Sequence, residues 1–228
     1  MFSIHLISHN LGLKHSNEGN YEYDDQSCLM GYSYDGIDSP VMCYNGHKNY
    51  VLGWYVDRQI TINPATDGPW LGKLVGFVDY AYTSVSRNEN VLIAVDKLYI
   101  QYNLAEKFNF ETQEKANMVT ITTAEDATSP SYILSAITVS QTAVVGLYTV
   151  EVCALVSAAA PVPEYLILSI RLNNQPSSCE ASIAPNTLTP ITAAPTSTDA
   201  PSSPDVPSST APTTSYAQIG RASCRERV

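Results

Sequence analysis

Basic residues are scarce in this chain. Its 228 residues carry 12 Lys+Arg against 22 Asp+Glu, a formal charge of −10, so it has no basic face for phosphates, and nucleic acid is excluded as a partner of the whole chain. Long apolar runs are missing too. The longest, from Cys153 onward, is interrupted by Ser157, Pro161 and Pro163, far short of the roughly 18 to 20 apolar residues a membrane-spanning helix needs. No Asn-x-Ser/Thr acceptor occurs, and no Cys-x-x-Cys pair suggests a zinc ribbon or a redox couple. Met1 to His5 shows no charged region, apolar stretch and small-residue cleavage site, so no secretory signal can be read there. What the chain does have is 44% hydrophobic residues, enough to bury a core over most of its length.

Composition divides the chain. Residues 185–215 are almost entirely Pro, Ser, Thr and Ala, a segment with little to bury that is expected to stay extended, either as a bare linker or as an O-glycosylated stalk. The last ten residues, Ile219 to Val228, turn abruptly basic and read like a translated sequencing adapter. Setting them aside removes three Arg and one Glu and leaves 9 basic and 21 acidic residues, a charge of −12. Cys28, Cys43, Cys153 and Cys179 remain. An even number suits two disulfides, most simply Cys28 with Cys43 and Cys153 with Cys179, although four cysteines allow three pairings.

Short runs rich in Val, Ile, Leu, Tyr and Thr fill residues 51–174: Gln59 to Ile62, Lys73 to Tyr82, Val91 to Tyr102, Met118 to Thr122, Tyr132 to Val139, Gly146 to Val156 and Tyr165 to Leu172. Gly, Pro, Asn and Asp punctuate them, and roughly seven strands at this spacing predict an antiparallel sandwich. Asn103 to Lys115 is the one candidate helix in that stretch. No fixed-period repeat argues for a solenoid or propeller.

The chemistry is concentrated near the start. Three of the four histidines are His5, His9 and His15. On a helix, His5 and His9 are one turn apart on one face. Gly12 can take a positive φ, end the helix and let the chain return His15 to the same point. Three neutral imidazoles suit Zn2+, leaving a fourth position open. His47 falls outside this pattern and is expected at the surface.

The spacing resembles the metzincin string His-Glu-x-x-His-x-x-Gly-x-x-His. The words His9-Asn10-Leu11-Gly12-Leu13, Asp25-Gln26-Ser27-Cys28-Leu29-Met30-Gly31-Tyr32 and Cys43-Tyr44-Asn45-Gly46 are similar to those of the gametolysin-like metallopeptidases of algae. The resemblance covers Met1 to Asn174 in outline and is specific from His5 to about Tyr55. It implies a partial metzincin-like zinc region over residues 1–55; with the strand pattern and composition, the chain then reads as α+β, with a β-rich domain over 56–174, a Pro/Ser/Thr-rich stalk over 175–218 and the adapter-like end over 219–228. It implies His5, His9 and His15 as zinc ligands, Met30 as the methionine of the turn beneath them, and Tyr32 as a candidate oxyanion stabiliser. It further implies a secreted or surface-attached endopeptidase acting on extracellular matrix or cell-wall glycoproteins.

Two departures stand out. Position 6, where the family carries the general-base glutamate, is Leu6, and leucine accepts no proton. An impaired or inactive peptidase is therefore expected, or a non-catalytic zinc-binding surface module. Glu18 and Glu22 are the nearby carboxylates, but their place after the third histidine gives no reason to expect either as a substitute base. Second, only four residues precede His5, which suggests a chain truncated at its N-terminus, with the signal peptide lost.

Overall fold

The computed structural model describes residues 4–31 and 41–179. Tyr32, residues 180–218 of the Pro/Ser/Thr-rich stalk and the adapter-like end lie outside them.

The described residues are mixed α+β, mostly strand, in two sheets. In chain order the elements are α1 (Ile4–Asn10), β1 (Ser16–Glu18), α2 (Gly46–Leu52), β2 (Gln59–Thr61), α3 (Pro64–Asp67), β3 (Trp70–Val75), β4 (Glu89–Asn90), β5 (Leu92–Val95), β6 (Leu98–Asn103), β7 (Met118–Ala124), β8 (Ser131–Ile137), β9 (Thr142–Val145), β10 (Tyr148–Val156) and β11 (Tyr165–Leu172). One sheet runs β1-β8-β7-β6-β5-β2 and the other β4-β3-β11-β10-β9. Every residue of β5 is buried, because α2 and the N-terminal region cover one side of the larger sheet while the smaller sheet covers the other. Full burial of a side chain such as Ile93, Ile100 or Ile121 contributes about 1.5–3 kcal/mol.

The expected sandwich is only partly antiparallel. Its inner pairs run antiparallel, but β1–β8, β2–β5 and β3–β4 are parallel. None of these three edge pairs is joined by a hairpin, so no tight turn imposes an antiparallel direction. Val91 to Tyr102 divides into a hairpin, with Val95 opposite Leu98 and Asp96 at φ 52° making the turn. The expected strand Lys73 to Tyr82 stops at Val75. Gly76 lies flush against the Leu104 side chain, and Phe77–Tyr82 follows as a 3-10 helix that buries Phe77 and Val78. The expected helix in Asn103 to Lys115 reduces to a 3-10 turn at Lys107–Asn109. Asn103 Nδ2 donates there to the Glu114 and Lys115 carbonyls, and Asn109 Nδ2 donates to the Leu104 carbonyl, so side chains take the backbone acceptors that a helix would use.

The cysteines correct one expectation. Cys153 and Cys179 are joined, tying β10 to the end of the described chain. Cys28 is a free, buried thiol, and Cys43 is disulfide-bonded elsewhere. The two segments still run side by side, with Leu29 N donating to the Cys43 carbonyl at 2.8 Å. Cys28 Sγ accepts from Asn45 N at 3.3 Å. Burial, with the Asp25 charge adding to it, pushes its pKa up to about 12, which keeps the thiol protonated and inert.

His47 is likewise not at the surface. It sits on α2 against Tyr99, wholly buried, and neither ring nitrogen makes a hydrogen bond. Burial lowers its pKa from 6.5 to about 4; Lys48 adds to the shift and Asp126 opposes it. The unfolded chain therefore binds the extra proton first, and stability falls as pH drops from about 6.5 towards 4, in total by about 3 kcal/mol. Urea unfolding of the chelator-treated protein at pH 7.5 and pH 4.5 should show the parent losing about 2–3 kcal/mol more than His47→Phe. Equal losses would remove His47 from the account.

Candidate metal centre

Helix α1 carries His5 and His9 and ends in a motif built around Gly12. Gly12 N donates to the His9 carbonyl at 3.0 Å and Leu13 N to the Ser8 carbonyl at 3.2 Å, with Gly12 at φ 82°. This is the left-handed stop that turns a chain back on itself. It sends buried Leu13 into the core and leads into β1, whose first residue follows His15 directly. Between the two helical histidines, buried Ser8 bonds the Tyr44 hydroxyl and holds α1 to the segment before α2.

The three imidazoles converge. One ring nitrogen from each of His5, His9 and His15 lies within 4.8 Å of the others, and the ring centroids are 4.9–5.7 Å apart. His9 Nδ1 is 2.8 Å from the Leu13 carbonyl, His5 Nδ1 is 3.2 Å from the Leu29 carbonyl, and His15 Nδ1 meets Glu22 Oε1. Each Nδ1 thus has an acceptor, which assigns it the proton and leaves Nε2 with the lone pair. Such partners fix the orientation of metal-binding histidines.

His9 Nε2 and His15 Nε2 are 3.1 Å apart. Two lone pairs facing each other at that range repel unless a cation lies between them. Tetrahedral zinc, at Zn–N distances of about 2.0–2.1 Å, places its ligand nitrogens about 3.3 Å apart. The residues present therefore fit a zinc ion. Burial, and then the nearby His9 and His15, lowers the pKa of His5, which favours the neutral form a metal needs.

Met30 is fully buried in a turn closed by Gly31 N donating to the Cys28 carbonyl at 2.8 Å. Its neighbour Leu29 supplies the carbonyl that orients His5. Leu6 is 55% exposed. The two acidic neighbours are otherwise engaged: Glu22 sits behind His15, and Glu18 pairs with Lys115 at 2.8 Å. No carboxylate joins the histidine cluster among the described residues.

Sequence reasoning missed two parts of the site. Glu22 was considered only as a substitute base, whereas its place is on the far nitrogen of a ligand ring. Tyr23, with φ 63°, lays its ring on His15 at 3.8 Å between centroids. Tyr23 carries no sequence signal, but a carboxylate seven residues beyond a candidate ligand was open to reading as a partner of that ligand.

No curated protein and no solved structure matches the chain. Residues 2–139 match the family described as Gametolysin peptidase M11, a span that runs from α1 through both walls of the larger sheet. With more than half of its length so matched and three imidazoles gathered at one point, the chain belongs to the gametolysin peptidase family.

Proposed function

We propose that the protein is a zinc-binding member of a secreted metalloendopeptidase lineage acting on extracellular matrix or cell-wall proteins, with peptide cleavage impaired by Leu6. The observation that carries it is the convergence of one ring nitrogen from each of His5, His9 and His15, with every Nδ1 beside an acceptor. Bound zinc would supply Lewis-acid chemistry, polarising a carbonyl and making water a better nucleophile. His5, His9 and His15 would hold it, Glu22 would keep His15 in its tautomer, and the Leu13 and Leu29 carbonyls would do the same for His9 and His5. Tyr32 is a candidate to donate to the developing oxyanion. Export is supported by the Cys153–Cys179 disulfide, since such bonds persist in oxidising compartments. No helix among the described residues is long and apolar enough to cross a membrane.

Leu6 also favours a second reading, a non-catalytic surface or matrix module that keeps zinc as a structural element. Both readings require the metal, and zinc analysis tests them together. The purified chain is expected to hold one equivalent of zinc, His9→Ala none, and Glu22→Gln to bind about 10–100-fold more weakly with its fold intact. A parent free of zinc after dialysis against micromolar zinc would refute both.

A further inference from the structure

At the edge of the sandwich farthest from the histidines lies a groove of about 610 Å³, walled by β2, β3, β4 and the turn before β4. In the larger sheet, β1 and β2 are opposite edges, five strand spacings apart, a separation of about 24 Å at 4.8 Å per strand. The groove is thus no extension of the metal centre.

Its floor is aromatic. Trp70 and Gly72 share one face of β3 with the buried Leu74. A Cβ on Gly72 would overlap the Trp70 indole, so the ring lies along the strand over Gly72, half-buried, and lines the groove. Only glycine allows that posture, because any side chain two residues on would tilt the ring away.

The cations on the walls are already engaged. Arg58 donates to Thr83 Oγ1 at 2.9 Å and reaches Asp57, Arg87 pairs with Glu89 at 2.7 Å, and Lys73 sits over the Tyr165 ring. An anion would have to break these pairings. The groups with capacity to spare are neutral amides. Asn90 Nδ2 makes only long contacts of 3.3 and 3.5 Å, and the exposed Asn88 lines the groove beside it.

We infer that this groove binds a neutral saccharide. Planar amides that accept and donate side by side match adjacent hydroxyls on a sugar ring, and a flat indole offers a surface for the ring's C–H face. A mostly preformed pocket with an aromatic floor and a few convergent polar groups is the usual form of a small-ligand site. The ligand would be a hexose or pentose unit of a glycan, lying on Trp70 with its hydroxyls on Asn88 and Asn90.

The full chain would be titrated with neutral tetrasaccharides of glucose, mannose, galactose or arabinose, following tryptophan fluorescence. Trp54 is 2% exposed, so Trp70 is the reporter. At least one sugar is expected to give a saturable change with an affinity of about millimolar, unaltered by chelator. Calorimetry should show that binding lost in Trp70→Ala and weakened about 5–10-fold in Asn90→Ala, which disturbs no core packing. No saturation by any of the four sugars, undiminished binding by Asn90→Ala, or displacement of a bound sugar by millimolar inorganic phosphate would overturn the proposal. None of these outcomes depends on whether the histidines hold zinc.

Discussion

Leu6→Glu should raise peptidase activity of the zinc-loaded protein about 10²–10⁴-fold, the range a positioned general base contributes. The parent retains three converging imidazoles, but among the described residues no carboxylate joins them to take a proton from the attacking water and hand it to the leaving amine. Leu6 directly follows His5 on α1 and is 55% exposed, so a glutamate there displaces no core packing and enters water rather than an apolar pocket. An acidic side chain in the first turn of a helix is also electrostatically favoured. The substitution therefore changes the chemistry with little effect on the fold. Turnover of a fluorogenic casein, measured with stoichiometric zinc on parent and variant, checks it. Equal activity in the two, with zinc bound in both, would show that something other than residue 6 limits cleavage and would favour the non-catalytic reading.

Asp25→Ala should destabilise the protein by about 3–5 kcal/mol, the cost of removing one member of a buried charged network. Asp25 is fully buried and accepts from Ser16 Oγ at 2.6 Å, Asn45 Nδ2 at 3.0 Å, Ser27 N at 3.2 Å and the Ser27 hydroxyl. Alanine would leave the Ser27 amide and hydroxyl without that acceptor and take one partner each from Ser16 Oγ and Asn45 Nδ2, which keep Ser131. It would also remove the carboxylate facing Lys48, which is 1% exposed and whose pKa burial has already lowered to about 8. The network joins distant parts of the chain, because Asn45 Nδ2 also reaches Ser131 Oγ at 3.0 Å while its Oδ1 caps α2 through Lys48 N. Thermal unfolding should fall by roughly 10 °C or more. Ser16 adjoins His15 and its amide bonds the Met30 carbonyl at 2.9 Å, so zinc affinity should weaken in parallel. A loss below about 1 kcal/mol would mean that the surrounding donors find other partners.

The histidine cluster was legible in the sequence because its framework is local. His5 and His9 are related by helix geometry, and Gly12 and His15 by a turn whose bonds span at most five residues, so spacing alone fixes where those rings can go. The strand-rich middle was legible for the same reason, since alternation and turn residues act over a few positions. Where a run held two elements, as at Lys73 to Tyr82, composition could not locate the break, which is set by the approach of Leu104 to Gly76.

The sequence by itself determined the family and placed three candidate ligands and a leucine at position 6, all of which are written in residue identity and short-range spacing. Only the tertiary structure decided how those ligands are held and what the rest of the chain does. The Leu29 carbonyl reaches His5 across 24 positions, and Ser16 meets Ser131 across 115. The burial of His47, the freedom of Cys28 and the groove at Trp70 likewise follow from which surfaces meet when α2 and the two sheets pack. Contacts of that kind depend on the summed burial of many side chains, and no local pattern specifies them.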